Sequence, residues 1–125
     1  MTVKEAIDAI DLLKPNQFDE QMKTAWISQA EALVQNEVLS YHKEEELVPA
    51  IYHYPQDAGT VLLVPEPYSD LYVKYLAAQI DFANAEFGRY NNDMMLFNTL
   101  YTAFQNDYRQ KHLPKQGHSL NHIGG

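Results

Sequence analysis

The 125-residue chain has no cysteine and few basic residues. Without cysteine it has no disulfide scaffold and no thiolate chemistry. Lys and Arg number nine against seventeen Asp and Glu, so the formal net charge is −8. This charge argues against tight binding to nucleic-acid phosphates, which needs clustered basic side chains. No apolar run approaches the roughly 18 residues of a membrane span, and the acidic, amphipathic N-terminus does not predict a signal peptide.

Signals of catalysis are also missing. The five glycines form neither a G-x-G-x-x-G fingerprint nor a P-loop. No serine lies in a G-x-S-x-G elbow, and carboxylate pairs such as Glu5 and Asp8 are explained by an exposed acidic helix face. We therefore expect no enzymatic activity, no catalytic residue and no cofactor.

Histidines cluster only near the C-terminus, at His112, His118 and His122. Two of them would face one way if that part were helical, but Gly117 and the final Gly124-Gly125 oppose a helix there. The run HKEEE at 42–46 lacks the second histidine of a zinc-binding H-E-x-x-H helix. The spacing therefore predicts no metal site.

Apolar residues make up 46% of the chain, and nine residues are tyrosine. These values are typical of a folded domain, and tyrosine is favoured where a surface is half-buried or meets a partner. We predict a single helical domain over residues 1–113 and a flexible tail over 114–125.

Two helices are predicted in the first half. Thr2-Val3-Lys4-Glu5 has the pattern of a capping box before a short first helix that ends near Pro15. Asn16 is the expected N-cap of the second helix. The apolar stripe of that helix is Phe18, Met22, Ala25/Trp26, Ala30, Leu33/Val34 and Val38.

The helical period disappears between Ser40 and Pro67. Two short β-prone runs, 50–54 and 60–64, flank a turn-rich spacer and predict either a β-hairpin or an irregular segment near 50–64. A lone hairpin is marginal in water, so it must lie on the helices or add to a neighbour. We expect its larger apolar side chains to be subunit or partner contacts: Tyr52, Tyr54, Leu62 and Leu63.

The second half predicts a long helix pair. Pro67 suits the start of a third helix, and an apolar seam with steps of three and four then runs from Ala83 to Tyr108. One helix from 68 to 111 would be roughly 65 Å long and would need cover from another subunit. An antiparallel pair turning near 88–92 is the favoured interpretation. The predicted fold class is mainly α, with three to four helices.

Amides follow this seam at a spacing of seven residues: Asn84, Asn91, Asn98 and Gln105. Such a stripe resembles the flank of a coiled-coil interface and makes these four residues candidate contacts. The alternative is that Asn91 caps a helix and the others are ordinary surface residues.

Residues 62–112 resemble the small head–tail connector (adaptor or head-completion) proteins of tailed bacteriophages and prophages. The resemblance is carried by VPEPYSDLYVKYL (64–76), IDFANAEF (80–87), RYNN (89–92) and LFNTLYTAF (96–104). The first half matches in layout alone.

The resemblance implies a virion protein of the head–tail junction, assembled in the host bacterial cytoplasm. It would form a ring with copies of itself beneath the portal protein and dock a tail-side completion protein, with DNA passing through unbound. Acidic charge suits such a channel, and head-to-tail contacts that close by rotation make a ring. The alternative is a small acidic helical module that binds or regulates another protein.

Overall fold

The computed structural model describes residues 1–42 and 47–112. Its four α-helices are α1 (Val3–Leu13), α2 (Glu20–Glu37), α3 (Leu71–Ala83) and α4 (Phe87–Lys111), with a 3₁₀ turn at Leu39–Tyr41. α4 packs antiparallel to α3, which also contacts α1 and α2. The predicted mainly α fold with a C-terminal helix pair is confirmed.

α1 begins with the predicted capping box. Thr2 Oγ1 accepts from the Glu5 N–H at 3.1 Å, and Glu5 Oε1 accepts from the Thr2 N–H at 2.8 Å. The next free N–H groups of the first turn donate to a distant part of the chain, Val3 to the Thr60 carbonyl and Lys4 to the Ala58 carbonyl. The helix start therefore holds the later irregular segment in place, since these donors have no partner within the helix.

α2 differs from its prediction at the cap. Asp19, and not Asn16, caps it, with Oδ1 accepting from the Met22 N–H at 2.8 Å. Asn16 is engaged instead in the connection from α1, where Oδ1 accepts from the Phe18 N–H. The predicted buried face of α2 is also wrong in part, since Met22 is exposed. Ala30, Val34 and Val38 are buried as predicted. Three further buried positions lie one residue after a predicted one, and two of them are charged: Lys23, Ile27 and Glu31.

Residues 47–70 contain no strand, and the irregular alternative describes them. A single antiparallel bridge joins Val61 to Thr2, and the Leu62 N–H donates to the Met1 carbonyl at 2.9 Å. The two β-prone runs do not form a hairpin because their backbone groups bond to the start of α1 and to side chains of α2.

α3 is the central helix and is buried on most sides. Its buried residues are Leu71, Tyr72, Val73, Tyr75, Leu76, Ala77, Ala78, Ile80 and Asp81. Apart from Ala78 and Asp81, these side chains join those of the other helices in one core cluster.

The turn between α3 and α4 lies at residues 84–86, not at the predicted 88–92. The Glu86 N–H donates to the Asp81 carbonyl and the Ala85 N–H to the Phe82 carbonyl, and Ala85 has φ 58°. These are the bonds of a Schellman motif, which satisfies the last carbonyls of a helix. The position with positive φ usually holds glycine. Here it holds alanine, while Gly88 lies inside α4.

The middle of the predicted seam packs inside the subunit. Phe97, Tyr101 and Phe104 are buried, as predicted, whereas Ala83 and Phe87 at the start of the seam are exposed. None of the helices over 1–42 and 47–112 combines the length and apolarity that crossing a membrane requires. The predicted tail, residues 43–46 of the HKEEE run, His118 and His122 all lie outside the described residues.

Candidate functional site

A buried glutamate on α2 holds the irregular segment against the helices. Glu31 is fully buried. Its Oε2 accepts from the Tyr52 hydroxyl at 2.8 Å and from the Leu63 N–H at 2.9 Å, and its Oε1 accepts from the Tyr72 hydroxyl of α3. The Tyr72 oxygen in turn accepts from the Val64 N–H at 2.9 Å. One carboxylate therefore joins α2, α3 and two points of the segment.

The electrostatics of this cluster favour protonated hydroxyls. Burial raises the pKa of Glu31 above its ordinary value, although its three hydrogen-bond donors oppose the shift. Burial and the neighbouring Glu31 charge raise the pKa of both Tyr52 and Tyr72. The tyrosines remain donors at neutral pH, so the cluster supplies hydrogen bonds and no nucleophile.

The four candidate contacts of the irregular segment are not gathered on one exposed surface. Leu62 is 4% exposed and belongs to the core, while Leu63 is 39% exposed. Tyr52 and Tyr54 are half-buried. The apolar side chains that the segment presents most openly are instead Val48, Ile51 and Val61.

The four candidate amides are divided between the turn and α4. Asn84 is the C-cap of α3, and its Oδ1 accepts from Gln17 Nε2 at 3.2 Å. The other three lie along one side of α4, since residues seven apart are separated by about two turns. Asn91 and Asn98 are exposed and Gln105 is half-buried.

The side of α4 that carries these amides includes two further residues. Steps of three and four place Met95 and Thr102 between Asn91, Asn98 and Gln105. Met95 and Thr102 are exposed. We call these five residues the α4 amide face. The side chains of its three amides make no hydrogen bond with any residue in 1–42 or 47–112.

Exposed aromatic rings lie at the α3–α4 turn. Phe82 packs edge-on against Phe87 and Tyr90, with ring centroids 5.4 and 5.1 Å apart. Phe82 and Phe87 are nevertheless more than half exposed. The apolar seam of the sequence includes Phe87 and Tyr90. Its helical period does not show that Phe87, near the start of the seam, is exposed.

A groove lies between α2 and the irregular segment and has a volume of about 590 Å³. Its lining includes Gln21, Ser28, His53 and Gln56. The Ser28 hydroxyl donates to the Thr24 carbonyl and accepts from the Tyr52 N–H, so backbone groups occupy it. Among the described residues that line the groove, no serine is paired with a base.

Metal ligands are not gathered in the parts of the chain that the structure describes. No group of three His, Asp or Glu side chains there could hold a metal ion. His112, the described member of the predicted histidine set, stacks on Tyr108 with ring centroids 3.8 Å apart.

Sequence reasoning missed the buried charged residues Lys23, Glu31 and Asp81, and the partly buried Asp93 beside Asp81. Glu31 lies four positions after Ile27 and three before Val34, on the buried side of α2. The signal available in the sequence was a carboxylate at a helix position where the apolar period predicts a buried side chain. Comparison with known proteins identifies no relative: no protein-family model, no curated protein and no solved structure matches the chain.

Proposed function

We propose that the protein is a structural subunit that assembles with copies of itself into a ring, as the head–tail connector of a tailed bacteriophage. The observation that carries the proposal is the α4 amide face. It presents hydrogen-bonding and apolar groups that have no partner among residues 1–42 and 47–112.

The α4 amide face rests on a rigid support. Phe97, Tyr101 and Phe104, on the side of α4 that adjoins the α4 amide face, are buried, and the Tyr101 hydroxyl donates to Glu37 at 2.7 Å. The backbone of a helix that is fixed in this way loses little further freedom when a partner binds, so the cost of ordering is confined to the side chains. A row of amides beside Met95 suits a subunit contact, because amides pair with one another and methionine adapts its shape.

The resemblance to connector proteins covers the part of the chain that builds this face. Residues 62–112 form the end of the irregular segment, α3 and α4. In the proposed ring, the α4 amide face of one subunit meets a different surface of the next, which is the heterologous contact that closes by rotation. The net charge of −8 would keep DNA from adhering to the channel.

The ring would lie in the virion between the portal protein and a tail-side completion protein. Electron microscopy and native mass spectrometry of the concentrated protein, alone and with the portal protein of the same phage, test the proposal. We expect rings, or a complex with the portal ring. A protein that stays monomeric in both samples would overturn the connector proposal and favour the small acidic binding module.

Two neighbouring asparagines provide a matched pair of variants. Asn91 lies on the α4 amide face, whereas Asn92 lies on another side of the helix, and both are exposed. Asn91→Ala should lower the yield of rings or of portal complex, and Asn92→Ala should leave it unchanged. Equal effects of the two variants would exclude the α4 amide face as the contact.

A further inference from the structure

Two carboxylates meet between α3 and α4 beside one lysine. Asp81 is 2% exposed, and Lys14 Nζ lies 2.9 Å from each of its side-chain oxygens. The Asp93 carboxyl of α4 is within hydrogen-bonding reach of Asp81. Asp93 Oδ2 is buried and has no partner in the described residues. The lysine therefore neutralises Asp81 and leaves Asp93 without a direct cation.

The other charges around the pair do not supply that cation. Lys74 of α3 acts on Asp93 from a distance and lies 3.6 Å from Asp70. Arg89 of α4 acts on Asp81 and forms a 2.8 Å ion pair with Glu86. Two carboxylates that share one site cannot both ionise without repulsion.

We propose that Asp81 and Asp93 form a proton-dependent clamp that fixes the start of α4 against the end of α3. When Asp93 is protonated, its O–H donates to the Asp81 carboxylate and ties the two helices together. When Asp93 loses that proton to solvent, two negative charges face each other beside a single Lys14, and the first turns of α4 loosen. This regulation is independent of the proposed connector function.

The clamp should work near neutral pH. Burial, the hydrogen bond to Asp81 and the charge of Asp81 raise the pKa of Asp93 to about 6 from an ordinary value of 3.8. Burial acts to raise the pKa of Asp81. The hydrogen bonds from Asp93 and Lys14 outweigh burial and lower the pKa below its ordinary value. The folded state therefore holds a proton on Asp93 that the unfolded chain releases. The stabilisation from that proton is complete below about pH 4 and is lost as the pH rises through about 6.

The part of the molecule that would respond is the turn with the exposed aromatic rings. Asp81 precedes Phe82 in the chain, and Asp93 follows Tyr90 by one helical turn. Loosening of the first turns of α4 would separate Phe82 from Phe87 and Tyr90, which now pack together. The clamp thus couples proton binding to the shape of an exposed aromatic surface.

The test is amide hydrogen exchange over residues 88–94, expressed as protection factors so that the intrinsic pH dependence is removed. Between pH 5 and pH 7.5, protection in the unmodified protein should fall by about tenfold, the factor that corresponds to one pKa unit of differential stabilisation. Asp93→Asn retains an N–H donor towards Asp81 and carries no charge, so its protection should be high and equal at both pH values. Asp107→Asn, which removes the partner of Lys111 on the same helix, should behave like the unmodified protein.

A carbon-13 titration of the Asp93 carboxyl in the unmodified protein gives a second measurement that needs no stable variant. A midpoint near 6 supports the clamp, whereas a midpoint near 4 overturns it. Unchanged protection between the two pH values would also overturn it. So would an Asp93→Asn protein that is less protected than the unmodified protein at pH 5 and pH 7.5 alike, since Asp93 would then be purely structural.

Discussion

The irregular segment 47–70 and the helix pair α3–α4 share one core but are held by different contacts. The segment depends on polar groups that converge on Glu31, which accepts from Tyr52, Leu63 and Tyr72. The helix pair depends on aromatic packing. Tyr75 lies against Phe97 with centroids 5.4 Å apart, and Tyr68, at the end of the segment, lies against Phe104 at 6.1 Å.

The two kinds of contact respond differently to the loss of a single side chain. Apolar packing is spread over many small attractions, so the loss of one ring leaves its neighbours in contact. A buried carboxylate concentrates several bonds on one group. When it is removed, each buried donor that loses its acceptor costs about 1–3 kcal/mol. Loss of Glu31 alone should therefore weaken the segment strongly, although backbone bonds to the start of α1 also hold it.

Glu31→Ala should give the largest loss of stability, about 4–5 kcal/mol, because it leaves two hydroxyls and one part-buried N–H without an acceptor. Urea denaturation followed by the fluorescence of Trp26, the single tryptophan, measures it. Glu20→Ala, in the exposed first turn of the same helix, is the control and should cost less than about 1 kcal/mol. A loss at Glu31 no larger than that of the control would show that the segment does not depend on this carboxylate.

Phe104→Ala should lower the free energy of unfolding by about 3–4 kcal/mol, since it empties a buried ring site between α4 and Tyr68. Phe87→Ala on the same helix removes a ring that is 53% exposed and should cost about 1 kcal/mol or less. The same denaturation experiment measures both. Similar losses for the two variants would contradict the assignment of Phe104 to the core.

Tyr52→Phe removes one of the three hydrogen bonds that Glu31 accepts. It should cost about 1–2 kcal/mol, because Glu31 keeps its other two donors. Tyr54→Phe makes the same chemical change at a half-buried tyrosine whose hydroxyl does not bond to Glu31, and it should have almost no effect. Hydrogen exchange at Leu63 and Val64 should accelerate in the first variant and not in the second. A larger effect of Tyr54→Phe than of Tyr52→Phe would show that the bond between Tyr52 and Glu31 does not hold the segment.

Asn98→Ala should have the smallest effect on stability, under about 1 kcal/mol, because water replaces the partner of an exposed amide. If the α4 amide face is a subunit contact, the same variant will lower the yield of rings or of portal complex. Analytical ultracentrifugation beside the denaturation curve separates the two effects. A large loss of stability would place Asn98 inside the fold, and an unchanged yield would remove it from the proposed contact.

Much of the helix pair was predictable from local pattern. The steps of three and four through Phe97, Tyr101 and Phe104 correctly placed them in the core. The position of the turn was not predictable in the same way, because Ala85 holds the positive φ that usually marks a glycine. The turn was predicted at residues 88–92 instead, because of Gly88 and the asparagine pair that follows it.

The candidate site was predictable only in part. The seven-residue spacing placed Asn91, Asn98 and Gln105 on one side of a helix, and α4 has them there. Asn84 does not lie beside the other three amides, because it is the C-cap of α3, where the chain turns. The hydrogen bonds of Glu31 were not predictable from local pattern, because their donors lie 21, 32 and 41 residues further along the chain.

Local chemistry along the chain decides where most helices form and which side of α4 is apolar, because capping and helical period act over a few residues. The tertiary structure alone decides which charged groups become buried. The sequence does not show which partners Glu31 and Asp81 have. They acquire their roles only when folding removes water from them and brings tyrosines, Lys14 and Asp93 within hydrogen-bonding distance. Burial makes an unpaired charge costly, so these long-range partners, and not the local pattern, determine how the segment and the turn are held.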